Sequence, residues 1–236
     1  MAELLRIRKT RVLAIYAHPD DLEISCGGAL LRWAAAGSET YLLTCTQGDK
    51  GTVDVHAEPA ELAARRAEEA EAAARVLGAA GHHSLGYPDG EITNDPELRG
   101  RLVAYIRKVR PSIVVCPDPT AVFFGNRYIN HHDHRVVGWA TLDACAPAAA
   151  SPLYFPEAGP PHQVETLLLT GTLEPDVWID IGEAVDQKIQ ALLCHRSQVG
   201  TDERIIAEIV RGRAAEAGEA VGVAHAEGFR RILLAG

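Results

Sequence analysis

The chain has 236 residues, enough for one sizeable core and, on length alone, for two small domains. Hydrophobic residues make up 47% and charged residues 23%, which is the balance of a globular protein and excludes a disordered or fibrous one. The net charge is −9 and no extended basic run occurs, which argues against a nucleic-acid partner, because phosphate binding rests on clustered cations.

Residues 1–9 lack the long apolar core of a signal peptide, and no stretch has the length of a membrane span. The five cysteines are widely spaced, odd in number and without a CxxC pair, a reducing-compartment pattern. The expectation is a cytoplasmic protein with no membrane partner. Residues 11–17 then form a short apolar run, partly β-branched, that reads as a buried strand. His18-Pro19-Asp20-Asp21 follows at once, so these residues emerge at a strand's C-terminal end, where open α/β sheets bind ligands. A helix is predicted over 27–36, stopped by Gly37, then a strand over 40–46. A second helix is predicted over 60–77, ended by Gly78, and a strand over 83–85. A third spans 97–109, where Pro111 bars continuation, and a strand over 112–116 follows. This β-α-β-α series implies an α/β fold: a mostly parallel sheet with helices on both faces.

The last third changes character. Residues 146–161 are dense in Ala, Pro and Gly and read as a surface loop. Strands over 164–169 and 176–181, helices over 183–195 and 202–217, and a closing strand over 229–234 form a smaller strand-helix extension. No linker divides the chain, so one domain over 1–236 is expected.

The second informative cluster is His131-His132-Asp133-His134. A catalytic zinc site typically uses three protein ligands and keeps a fourth position open. His18, Asp21 and His134 supply two imidazoles and a carboxylate, suited to Zn²⁺ and also to Fe²⁺, Co²⁺ or Mn²⁺. His18 and Asp21 are three apart, so a tight turn or a first helical turn brings them to one point. Asp20 is then free to accept a water's proton, His131 stands one turn from His134, and Asp133 can fix an imidazole tautomer. A lone His-Pro-Asp is also common in turns, and Asp20 or Asp21 could cap the following helix. The pairing of two such clusters, one at a predicted strand end, favours a metal-dependent hydrolase.

Residues 17–30, from Ala17-His18-Pro19-Asp20-Asp21 to Gly27-Gly28-Ala29-Leu30, resemble the signature of the LmbE-like, or PIG-L, N-acetylglucosaminyl deacetylase family. His131-His132-Asp133-His134-Arg135-Val136-Val137-Gly138 is similar to its second metal motif, often His-Pro-Asp-His in members, with His132 here in the place of the proline. Residues 85–91 and 188–198 also resemble family segments. The resemblance implies a Rossmann-like zinc deacetylase that frees acetate from an N-acetylated amino sugar or its conjugate. It implies His18, Asp21 and His134 as ligands and Asp20 as general base. It also implies that His131 polarises the carbonyl or protonates the amine, paired with Asp133. Arg66 and Asp89 fall near family positions that contact substrate hydroxyls. Residues 120–130, with Phe123, Phe124, Arg127 and Tyr128, are expected to border the pocket, and residues 195–198 to serve packing or subunit contact. A homo-oligomer is compatible with the sequence.

A dinucleotide-binding oxidoreductase is disfavoured, because the first turn carries His-Pro-Asp-Asp and not G-x-G-x-x-G. A metal-dependent amidase or esterase for another acyl conjugate, and a non-catalytic metal- or carbohydrate-binding protein, stay as alternatives.

Overall fold

Strand β2 (Arg11–Tyr16) shows why the sheet lies at the centre of the molecule. Its side chains alternate between two cores. Leu13 and Ile15 pack with helix α3 (Pro96–Val109) and helix α4 (His132–Asp143), whereas Val12, Ala14 and Tyr16 pack with helix α1 (Asp21–Ala35). Both faces are therefore apolar, as a strand with helices on each side requires. The structure is a computed structural model that describes residues 2–234. Met1, Ala235 and Gly236, within the single domain expected over 1–236, lie outside the described residues.

The other strands are β1 (Glu3–Leu4), β3 (Glu39–Thr46), β4 (Gly81–Tyr87), β5 (Ile113–Pro117), β6 (Phe123–Phe124), β7 (Tyr128–Ile129), β8 (Thr166–Thr170), β9 (Val177–Asp180) and β10 (Ala226–Leu233). Seven of them join β2 in one sheet in the order β1-β9-β10-β8-β5-β2-β3-β4, and β6 and β7 form a separate hairpin. The run β8-β5-β2-β3-β4 is parallel, and β10 is antiparallel to β8 and β9. The predicted C-terminal extension thus continues the same sheet. From β2 the chain moves to β3 on one side and later to β5 on the other. The ends of β2 and β5 therefore flank the crevice where such sheets bind ligands.

Helix α2 (Pro59–Val76) begins with proline in its first turn, and Gly78 follows its end at a φ of 66°. In α3, Asp95 caps the N-terminus by accepting the Leu98 N–H, and Arg110 ends the helix in the left-handed region. Helices α5 (Val185–Leu192) and α7 (Glu203–Glu219) pack through Val185, Ile189, Leu192, Ile206 and Val210.

Three expectations change. The first helix begins at Asp21, six residues before the expected Gly27, but its backbone breaks at Cys26 (φ −145°, ψ 17°), so a regular segment does start at Gly27. The helix expected over 183–195 is confined to α5, and a separate short α6 (Arg196–Val199) follows beyond it. The loop over 146–161 is shaped, opening in a π-helical turn (Ala144–Ala148) and holding a 3₁₀ turn (Pro156–Ala158). Buried Arg107 on α3 organises it by donating to the carbonyls of Ala148, Ala149, Ser151, Tyr154, Phe155 and Gly159. An unbonded guanidinium at that depth would be costly, and the loop's carbonyls meet its need.

Candidate active site

The turn between β2 and α1 delivers His18 and Asp21, and the start of α4 delivers His134. The three converge closely. His18 Nδ1 lies 3.2 Å from His134 Nε2 and 3.3 Å from Asp21 Oδ2, and His134 Nε2 lies 3.1 Å from Asp21 Oδ1. Donor atoms about 2.0–2.1 Å from a tetrahedral zinc stand about 3.3 Å apart, so the edges of this triangle of groups, each imidazole facing a different Asp21 oxygen, match the spacing of such ligands. The donor set fits a divalent cation, with His18, Asp21 and His134 as its holders.

Each imidazole is oriented through its other nitrogen. His134 Nδ1 donates to Asn130 Oδ1 at 3.1 Å, which turns Nε2 toward the triangle. Asn130 is itself fixed, its side-chain amide donating to the Ala121 carbonyl. His18 Nε2 faces Asp89 Oδ1 at 3.1 Å and Asp133 Oδ2 at 3.2 Å. Carboxylates behind ligating histidines fix the tautomer and strengthen the donor. Burial would depress the His18 pKa, but its bonds to Asp133, Asp21 and Asp89 carry it up to about 12. Burial would raise that of Asp21, yet His134 and His18 hold it well below the usual carboxylate range. Such a cluster of carboxylates around imidazoles is a place for positive charge.

Asp20 occupies the N-cap position of α1 without capping it, at a φ of 107° that an L-residue rarely adopts. Arg66 holds that conformation. Its guanidinium donates to the carbonyls of Pro19 and Gly48 and to Asp20 Oδ1. Backbone strain of this kind costs about 1–3 kcal/mol and persists only where the surroundings over-determine it. Burial first, and Asp21 beside it, push the Asp20 carboxyl up to about 7.

His131 is the N-cap of α4, and its Nδ1 accepts the Asp133 N–H. That bond assigns the proton to Nε2, leaving a donor free for a ligand. Burial and the neighbouring His18 lower its pKa. Its ring centroid is 4.8 Å from that of His18. A cavity of about 580 Å³ opens beside the triangle, and Tyr16, Phe124, Tyr128, Asn130 and Thr170 help to line it.

The structure places two expected residues differently. Asp133 directs its carboxylate at His18 and the Gly90 N–H and offers His131 only its backbone N–H, because the helical start at His132 points the side chain across the cleft. Arg66, expected at substrate hydroxyls, is 3% exposed and engaged by the turn it supports. Asp89 likewise spends an oxygen on His18. His132 turns away and donates to the Ile92 carbonyl. Asn130 escaped the sequence reading as an orienting residue, although its position four residues before His134 would place it beside that ring on a helical start.

Residues 13–145 match the PIG-L family, described as GlcNAc-PI de-N-acetylase. The chain belongs to this family. A diacetylchitobiose deacetylase of Thermococcus kodakarensis is 34% identical over 94% of this chain and 83% of its own length. A 1D-myo-inositol 2-acetamido-2-deoxy-alpha-D-glucopyranoside deacetylase of Rhodococcus jostii is 31% identical, over 87% of this chain and 93% of its own length. Among solved structures, the N,N'-diacetylchitobiose deacetylase of Pyrococcus horikoshii superposes with a TM-score of 0.85 at 31% identity, covering 95% of this chain and 84% of that one.

Proposed function

We propose that this protein is a metal-dependent N-deacetylase that hydrolyses the acetamide of a GlcNAc-type amino sugar or its conjugate, releasing acetate and the free amine. The observation that carries this reading is the triangle of His18, Asp21 and His134, on a chain similar to deacetylases of acetamido sugars. A divalent cation bound there, with zinc the first choice for this donor set, supplies Lewis acidity and a nucleophilic water at neutral pH. Asp20 accepts a proton from the attacking water as its oxygen bonds to the carbonyl carbon. His131, through Nε2–H, donates to the carbonyl oxygen as negative charge develops there. When the C–N bond breaks, the proton held by Asp20 passes to the departing nitrogen. Asp89 and Asp133 keep His18 turned toward the triangle, and Arg66 keeps the Asp20 turn in place.

The chain's use of cysteine supports a cytoplasmic setting: Cys26, Cys45, Cys116, Cys145 and Cys194 are all free thiols. Among the described residues, no helix is long and apolar enough to cross a membrane.

The test is acetate release from N-acetylglucosaminides, measured before and after chelation and after restoring Zn²⁺, Co²⁺ or Mn²⁺ separately. Release that stops on chelation and returns with metal is expected. Release indifferent to chelator overturns the metal reading, and no release from any acetamido sugar overturns the substrate.

A further inference from the structure

The ladder of α1 is interrupted by a buried ion pair. In an unbroken helix the Gly28 N–H would bond the Ile24 carbonyl. Here the Ile24 carbonyl accepts from Lys188 Nζ at 2.9 Å, and the Gly28 N–H donates to Glu227 Oε1 at 2.9 Å. The next amide, Ala29 N–H, goes to Glu227 Oε2 at 2.8 Å, and Lys188 and Glu227 bond each other at 2.6 Å. The pair thus stands where one turn of the helix would have closed on itself, and the backbone is non-helical between the two halves at Cys26. What it separates is the single turn Asp21 to Ser25, the turn that carries a corner of the triangle.

That same turn has a second ionic contact. Glu23, 2% exposed, brings Oε2 within 3.2 Å of His195 Nε2, at ion-pair distance but outside hydrogen-bond geometry, and His195 is fully buried. Lys188 lies on α5 and His195 just before α6, so one segment of the chain supplies both contacts. Its continuation reaches the Asp20 support as well. Ser197 bonds Glu69 on α2, and Gln198 donates to the carbonyl of Gly51, in the loop that also offers Arg66 the Gly48 carbonyl.

Buried ion pairs are poor devices for stability alone, since well-packed apolar residues of similar volume often serve as well or better. Two of them meeting on one detached helical turn therefore call for another explanation. We propose that Lys188 and His195 are positioning residues for the metal site: with Glu227 and Glu23 they fix the turn that presents Asp21 to His18 and His134. This rests on the metal-site reading given above. It gives Lys188 a role in the site and takes residues 195–198 beyond packing or subunit contact.

The experiment is cobalt titration of the metal-free full-length protein, following affinity and the visible d–d spectrum, with thermal unfolding run in parallel. Lys188→Met and His195→Gln are compared with wild type, with Lys188→Arg as the conservative rescue. Leu102→Ala, on α3 across the sheet, is the control for lost stability alone. Glu227→Gln stands in where Lys188→Met does not fold, because it keeps an acceptor for one of the two amides. The expected result is cobalt affinity about 10–100-fold weaker with an altered spectrum in Lys188→Met and His195→Gln, the range seen on losing supports of metal ligands. Lys188→Arg should recover much of it, and Leu102→Ala should bind cobalt as wild type does while melting earlier. Variants that match wild type in affinity and spectrum overturn the proposal, however far their melting temperatures fall. So does an equal loss of affinity in Leu102→Ala. Wild-type protein that binds no cobalt overturns the metal reading itself, and this inference with it.

Discussion

Asp20 is the residue at which conformation and chemistry meet most directly. Its left-handed backbone holds the carboxylate off the helix end, and Arg66 maintains that geometry from α2. Asn tolerates the left-handed region better than most residues, so Asp20→Asn should keep the turn, the triangle and the bound metal. An amide cannot accept the water's proton, and a positioned base contributes typically about 10²–10⁴-fold. The expected outcome is full metal by elemental analysis with kcat lower by roughly that factor. A metal-loaded variant turning over at the wild-type rate would remove Asp20 from the reaction. At this scale His18, Asp21 and His134 are legible in the sequence because each cluster has its own short spacing and stands where a strand or helix begins. The partners that orient them are less so. Asp133 bonds His18 across 115 positions of chain, and nothing local in either cluster reveals which imidazole it serves. Arg107 is still harder to read, since a basic residue on an amphipathic helix looks solvated until the loop that surrounds it is in place.

At the scale of elements, the position of α4 decides where His134 lies. Gly138 stands four residues further on, and a Cβ there would meet the Pro117 carbonyl oxygen at 2.7 Å and Pro119 Cδ at 2.9 Å. The helix can therefore approach the end of β5 only through a residue without a side chain. Elsewhere in a helix, Ala for Gly stabilises by about 1 kcal/mol. Here the backbone on the other side cannot yield, so Gly138→Ala should instead destabilise, by roughly 1–3 kcal/mol as for other overpacking substitutions. Moving α4 off β5 also draws His134 from the triangle, so cobalt affinity should fall with it. Urea denaturation and cobalt titration of one preparation check both, and a variant as stable and as tight as wild type would deny this contact its role. The main strands and α2, α3 and α7 are legible because apolar periodicity reports burial. The first turn of α1 is not, because Leu22 is its one buried apolar side chain and polar contacts from Lys188 of α5 and His195, just before α6, do the rest. β1, β6 and β7 are two-residue strands, too short for any period to show.

At the scale of the whole molecule, the site draws together distant lengths of chain: the β2 exit, the loop after β4, the start of α4 and, behind them, α5 and β10. A ligand that joins such segments stabilises the entire fold, because the unfolded chain does not hold them in register. One cooperative unit is expected, since β8, β9 and β10 extend the sheet that β2 and β5 begin. Zinc at about 100 times its dissociation constant should add about 2.7 kcal/mol to stability. For a chain of this size that corresponds to a rise in Tm of roughly 5–10 °C. Thermal unfolding followed by near- and far-ultraviolet circular dichroism, with zinc and with chelator, should give coincident single transitions that move together. His134→Ala should melt near the temperature of the chelated wild type and gain little from zinc, because the remaining ligands lack the third corner of the triangle. Separate transitions for the two signals would divide the chain into independent units. An undiminished zinc shift in His134→Ala would place the stabilising metal elsewhere on the protein.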